Sequence, residues 1–160
     1  MKRSFSILVI AGCAVVASTA GATVTVTFDK PENFTDMPFT AHDRETTLKS
    51  LQQHFEKLGS RLPAGQDFKV DVMDVDLAGR IRPSVRTPMD LRVLTGGADW
   101  PSIKLRYAIE SNGTVVKSGE ALVSDMNYLY HANRYFDGEP LRYEKQMLDD
   151  WFKRVIQVAR

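Results

Sequence analysis

Apolar and polar residues change rhythm along this chain, and each rhythm predicts an element. Val24, Val26 and Phe28 alternate with Thr25 and Thr27, the period-two pattern of a strand with one buried face. Pro31 and Pro38 then bound an irregular connector. Thr40 stands three residues before Asp43, a capping signal for a helix start. Behind it Leu48, Leu51, Phe55, Leu58 and Leu62 recur at three and four residues, which aligns them on one helical stripe. Pro63 and Gly65 are expected to end that helix.

A second strand opens with Phe68, Val70 and Val72, and then its phase slips to Met73, Val75 and Leu77. A slip of one residue turns every later side chain to the other face, so a regular strand cannot serve both sets. The pattern predicts either a bulge near residues 72–74 or a stretch buried on both faces. Gly79 stops the strand, and residues 80–88, with three arginines and two prolines, read as a loop. Leu91 and Val93 mark a third strand, followed by a turn at Thr95-Gly96-Gly97 that leads into Asp99-Trp100-Pro101. Ile103, Leu105, Tyr107 and Ile109 alternate with Lys104 and Arg106 in a fourth. Asn112-Gly113 is the favoured type I′ hairpin pair, and residues 114–124 return as the fifth. An aromatic-rich connector spans residues 125–139. Pro140 suits a helix first turn, and Tyr143, Met147, Leu148, Trp151, Phe152, Val155 and Ile156 share a broad apolar face. Asp149 with Lys153, and Asp150 with Arg154, have the spacing of i,i+4 ion pairs.

The order β-α-β-β-β-β-α, with apolar residues mostly on one side of each element, predicts an α+β fold. It is a two-layer sandwich: a four- to five-stranded, mainly antiparallel sheet with two helices on one face.

The first 22 residues change the picture. Lys2 and Arg3, an apolar run from Phe5 to about Val16, and Ala20-Gly21-Ala22 have the layout of a signal peptide cleaved after Ala22. Residues 23–160 are then a single domain, and the compact alanine-rich leader points to a bacterial periplasm. Cleavage removes Cys13, the one cysteine, so no disulfide framework or thiol nucleophile remains. The alternative is a lipobox at Ile10-Ala11-Gly12-Cys13, which would make the protein a lipoprotein anchored through Cys13. No later stretch is long and apolar enough for a transmembrane segment. The whole chain carries a net charge of +1, which gives no case for nucleic acid.

Candidate chemistry is sparse. In the expected register Lys69, Arg92, Lys104 and Arg106 face away from the helices with Asp71 among them. They form either a basic surface for an anionic envelope component or a solvated face guarded against aggregation. Asp71, Asp74 and Asp76 could bind calcium or divide acid and base roles, although the spacing fits no EF-hand loop. The other reading is a hydrogen-bond network at the bulge, with backbone N–H groups or Arg80 as donors. Asp125, Asn127, Tyr128, Tyr130 and His131 gather aromatic rings, an amide and an imidazole in one connector. That mixture suits sugar or peptide recognition, unless the rings pack as core. Asp99 and Trp100 are either a docking surface or the cover of a hairpin end. Histidines occur only at 42, 54 and 131, and no H-E-x-x-H, C-x-x-C, G-x-S-x-G or phosphate-loop motif is present. Neither metal nor cofactor is expected.

Several segments are similar to one known family. They are Val24-Thr-Val-Thr-Phe28, Asp74-Val-Asp-Leu-Ala-Gly79, Arg92-Val93, Asp99-Trp-Pro101, Leu105-Arg-Tyr107 and Ser124-Asp-Met-Asn-Tyr128. In that order they resemble exported proteobacterial proteins grouped as domain of unknown function 3016. The resemblance implies a Gram-negative, exported, single-domain protein and implies no activity. The residues themselves favour a non-catalytic periplasmic accessory or binding protein acting on an envelope protein or polysaccharide. The alternatives are a hydrolase that uses Asp74, Asp76 or Asp125 with His131, and a lipidated envelope-assembly factor.

Overall fold

The computed structural model describes residues 22–82 and 91–157. The leader through Gly21, with Cys13, lies outside the described residues, as do positions 83–90 and 158–160. Strand β1 (Val24–Phe28) is followed by a short 3-10 turn (Pro31–Asn33) and helix α1 (Ala41–Gly59). Strands β2 (Gln66–Asp76), β3 (Arg80–Arg82), β4 (Leu91–Val93), β5 (Ser102–Ser111) and β6 (Thr114–Ser124) come next, then helix α2 (Arg142–Gln157). The main sheet has the order β1-β2-β5-β6. Its first pair is parallel, joined through α1, and the other two pairs are antiparallel. The expected α+β architecture is therefore present.

The phase slip in β2 is a bulge. Val72 lies opposite Leu105 and Asp74 opposite Lys104, so Met73 is the extra residue. The insertion returns Val75 to the face that holds Val72, and both are fully buried. That face also carries Phe68 and Val70 of β2, Ile103, Leu105 and Ile109 of β5, and Val123 of β6. Leu51, Phe55 and Leu58 of α1 meet Met147, Leu148, Phe152 and Val155 of α2 in the same core. Rings bridge sheet and helix: Phe68 lies 5.1 Å from Phe152, and Tyr107 meets Trp151 edge-on at 5.4 Å. Each fully buried side chain of this size contributes about 1.5–3 kcal/mol through removal from water. Two glycines permit close approach. A Cβ on Gly59 would sit 2.3 Å from Val24, and one on Gly119 would sit 3.1 Å from the Tyr107 ring.

Local signals hold at several ends. Thr40 caps α1 by accepting from the Asp43 amide at 3.0 Å. Asn112 and Gly113 both take positive φ, as a type I′ turn requires. Helix α1 ends at Gly59, ahead of Pro63, because Ser60 and Leu62 close the last turn onto Glu56 and Gly59. Leu62 still reaches the core, through that turn and not through the helix.

Two expectations are corrected. The strand at Leu91–Val93 does not join the main sheet but pairs with Arg80–Arg82, where the sequence predicts a loop, in a separate two-stranded ribbon. Gly79, at φ 80°, makes the turn-off possible, since a Cβ there would lie 2.5 Å from the Val93 carbonyl oxygen. The ion pairs expected along α2 also differ: Asp150 meets Lys153 and Arg134, and Asp149 turns inward to Arg61 and Arg134. Among the described residues no helix is long and apolar enough to cross a membrane.

Candidate functional site

The aromatic connector folds into a defined shape across one end of the sheet. The Asp125 amide donates to Pro101 O, and its Oδ1 accepts from the Asn127 amide at 3.0 Å, a side-chain-closed turn. The Tyr130 amide closes the next turn on Asn127 O. These turns drive Tyr128 inward, where it is 1% exposed, and leave Tyr130 outward at 78%. The Tyr128 hydroxyl donates to Asp99 Oδ1 at 3.1 Å, and its ring meets Tyr143 of α2 edge-on at 5.0 Å. Asp99 Oδ2 accepts from the Thr95 amide and hydroxyl at 3.0 and 2.7 Å. The Thr95 hydroxyl holds the Asp99 carboxyl below the usual carboxylate range. Burial, aided by the Asp99 bond, pushes the Tyr128 hydroxyl up to about 12. Tyr128 and Asp99 were candidates for a binding surface. The structure places both inside, where the bond latches the connector to the turn after β4 and the Tyr128 ring packs on the start of α2.

His131 is fixed at both ring nitrogens. Nε2 lies 2.8 Å from Asp125 Oδ2, and Nδ1 lies 3.0 Å from the Gln146 side-chain amide. The amide nitrogen can only donate, so Nδ1 accepts and the ring proton sits on Nε2, aimed at Asp125. Gln146 also donates to Ala132 O and accepts from the Arg134 amide, which locks its orientation. Asn133 donates to Arg142 O at 3.1 Å and ties the connector to the first turn of α2.

These contacts frame a cleft of about 360 Å³ lined by His131, Asn133, Tyr135, Phe136, Arg142 and Tyr143. A second cleft of about 440 Å³ shares Asp137, Arg142 and Tyr143 and adds Arg92, Leu94 and Leu141. Phe136 stands at the rim, 89% exposed. Trp100 is half-buried, and Asn127 and Arg80 are exposed.

The acidic strand has its own partners. Asp74 accepts from the Thr35 amide and hydroxyl, both at 2.8 Å. Asp76 lies across an isolated parallel bridge from Asp36. Burial, with the Asp36 and Asp74 charges, holds the Asp76 carboxyl above the usual range, against the pull of Arg92 and Arg80. Among the described residues no hydrogen bond or ion pair joins Asp74 or Asp76 to the Asp125–His131 pair. The same residues hold no group of three metal-ligating side chains.

The open sheet face departs from expectation in composition. Lys69 pairs with Glu110, Lys104 with Glu120, and Arg106 with Asp71 and Glu120. Arg92 is not on it. From β4 it donates to Asp36 at 2.7 Å and to Ala78 O at 3.0 Å. Each remaining cation faces a carboxylate, which leaves little field to attract an anionic polymer.

Sequence reasoning missed the polar start of α2. Glu144, Lys145, Gln146 and Asp149 are all buried. Glu144 accepts from the Ala78 amide at 2.8 Å, and burial raises its carboxyl. Asp149 accepts from the Tyr135 hydroxyl at 2.9 Å and stands 3.6 Å from His54 Nε2. The signal available was a polar quartet beside an apolar stripe, which reads as a solvated face unless the connector is known to cover it.

Comparison with known proteins adds a family and two distant structural likenesses. The family model described as "Protein of unknown function (DUF3016)" matches residues 22–154. Among solved structures, the chain is similar to protein XCC0632 from Xanthomonas campestris at 13% identity and a TM-score of 0.35, covering 86% of this chain and 83% of that one. It is also similar to a minor lipoprotein from Acinetobacter baumannii at 12% identity and a TM-score of 0.26, covering 87% and 93%. No curated protein matches.

Proposed function

Because the chain belongs to the family of proteins of unknown function DUF3016, whose description assigns no activity, we propose a function from its own geometry. It is an exported, non-catalytic binding protein that engages a component of the bacterial envelope through the connector between β6 and α2. The observation that carries this reading is the pair of adjoining clefts with the exposed Phe136 ring at the rim of the first, and exposed Tyr130 apart from them on the same connector. Tyr130 and Phe136 project from a connector whose every turn is hydrogen-bonded, so the rings are presented on a rigid base. Exposed aromatic rings beside polar clefts are the usual anchors of recognition surfaces. The leader read from the sequence, cleaved after Ala22, supplies the address and leaves residues 23–160 as the working domain.

A photo-crosslinking residue at the exposed connector position 127 of the full chain, expressed in intact cells, should capture a specific envelope partner. The double variant Tyr130→Ala with Phe136→Ala should lose that partner, with its melting temperature unchanged because both rings stand in solvent. Undiminished capture by the double variant would remove the connector from the function.

One observation favours a second reading. Asp125 and His131 form a carboxylate–imidazole pair at 2.8 Å, the orientation a general base needs. It ranks lower because Gln146 already occupies Nδ1, the nitrogen such a base would use. Hydrolysis of an envelope-derived ester or amide, abolished by His131→Gln, would restore it.

A further inference from the structure

The two guanidiniums that line the second cleft differ in how they are held. Arg142 lies over the Tyr143 ring, 4.6 Å from its centroid, with Nη2 2.6 Å from the Tyr143 hydroxyl. Ring and hydroxyl together fix the plane of the guanidinium fork. Its anionic partner is Asp137, whose side chain is 97% exposed and stands on the turn closed by the Glu139 amide and Phe136 O. An ion pair with one partner almost wholly in water is easily exchanged. Arg92 commits Nη1 to Asp36 and Ala78 O, while its buried Nη2 has no partner among the described residues. The other carboxylates on the cleft are engaged: Glu139 pairs with Lys145, and buried Glu144 accepts from the Ala78 amide. Leu94 and Leu141 supply an apolar wall.

We infer that this cleft takes the C-terminal carboxylate of a peptide ending in an apolar residue. Arg142 receives the carboxylate in the place Asp137 fills in the free protein, and Leu94 and Leu141 receive the terminal side chain. The inference rests on the connector being the binding site, as proposed above, and names what enters it. Charge complementarity selects the group, since a planar fork matches a planar carboxylate. Two leucines reward an aliphatic side chain and offer a sugar's hydroxyls no partner. Asp137 and Glu139, both on the cleft, disfavour a dianion such as phosphate.

The test is calorimetric titration of the protein recovered after export of the full chain. The probes are N-acetyl-Ala-Ala-Leu as the free acid, the same peptide as its C-terminal amide, oligogalacturonate and inorganic phosphate. The free acid should bind at least tenfold more tightly than the amide. Asp137→Asn, which removes the internal competitor, should tighten the acid several-fold and leave the amide unchanged. Arg142→Gln should erase the difference between acid and amide. Should that variant fail to fold, the comparison of the two peptides and Asp137→Asn decide without it. Equal affinity for acid and amide, weaker binding by Asp137→Asn, or stronger binding of oligogalacturonate or phosphate would overturn the inference. Capture of a partner from position 127 in cells, together with any of those results, leaves the binding reading standing while this one falls. Loss of both peptide binding and capture ends both.

Discussion

Tyr128 brings a hydroxyl into a nearly dry interior, and Asp99 is the group that makes this tolerable. A buried hydroxyl without a partner is costly, so the bond between them matters more through its loss than its presence. Tyr128→Phe leaves the Asp99 carboxylate short of one donor, and the expected cost is about 1–2 kcal/mol, read as a lower urea midpoint with an unchanged slope. Tyr128→Ala should cost about 3–5 kcal/mol, because it also empties the space against Tyr143. A cost near zero for both would mean that the latch is not closed in solution. The Asp99 carboxyl is held low, so its share of stability is present above the usual carboxylate range and fades as the pH falls through it.

Contact between the two helices concentrates charge that should respond to acid. His54 of α1 is buried against α2, with Asp149 Oδ1 3.6 Å from Nε2. Lys57 and Lys145 also bear on it, and Tyr135 covers it edge-on. Burial lowers its pKa from 6.5 to about 4, although Asp149 pulls the other way. The folded state therefore resists the proton that the unfolded chain accepts. The resulting stability is present above about pH 6.5 and is lost as the pH falls toward about 4. His54→Gln, neutral at every pH, should flatten the fall in melting temperature between pH 7 and pH 4.5. A curve parallel to that of the parent would assign the acid sensitivity to other groups. Where α1 meets β1, Gly59→Ala should destabilise by about 1–3 kcal/mol, since Val24 occupies the space a methyl group needs. A neutral Gly59→Ala would show that the strand yields freely.

At the scale of the whole molecule the sheet separates two surfaces with different roles. One face is closed by the helices, and the other is a lattice of ion pairs that keeps a four-stranded sheet wet and unpaired. The clefts open at the end of the sheet, where the connector crosses to α2. The export proposed above would decide which partners that end can meet. The intact mass of protein recovered from the envelope should correspond to a chain starting at Thr23, whereas an acylated chain starting at Cys13 would replace a free protein with an anchored one.

Periodicity along the chain was enough to reveal the strands β1, β2, β5 and β6, the two helices, the phase slip that the structure resolves as the Met73 bulge, and the Asn112-Gly113 hairpin. Each of these depends on residues within a few positions of one another, where burial of one face and backbone φ preferences act directly. Asp125 and His131, which the structure pairs at 2.8 Å, could be placed near one another for the same reason, since they share one connector. The separate ribbon of β3 and β4 was decided only by tertiary structure, as were the inward turn of Tyr128, the hold of Gln146 on His131, and Arg142 poised between two clefts. Each needs a partner tens of residues away or across a chain reversal, and alternation carries no record of which distant group will arrive to satisfy a buried charge or hydroxyl.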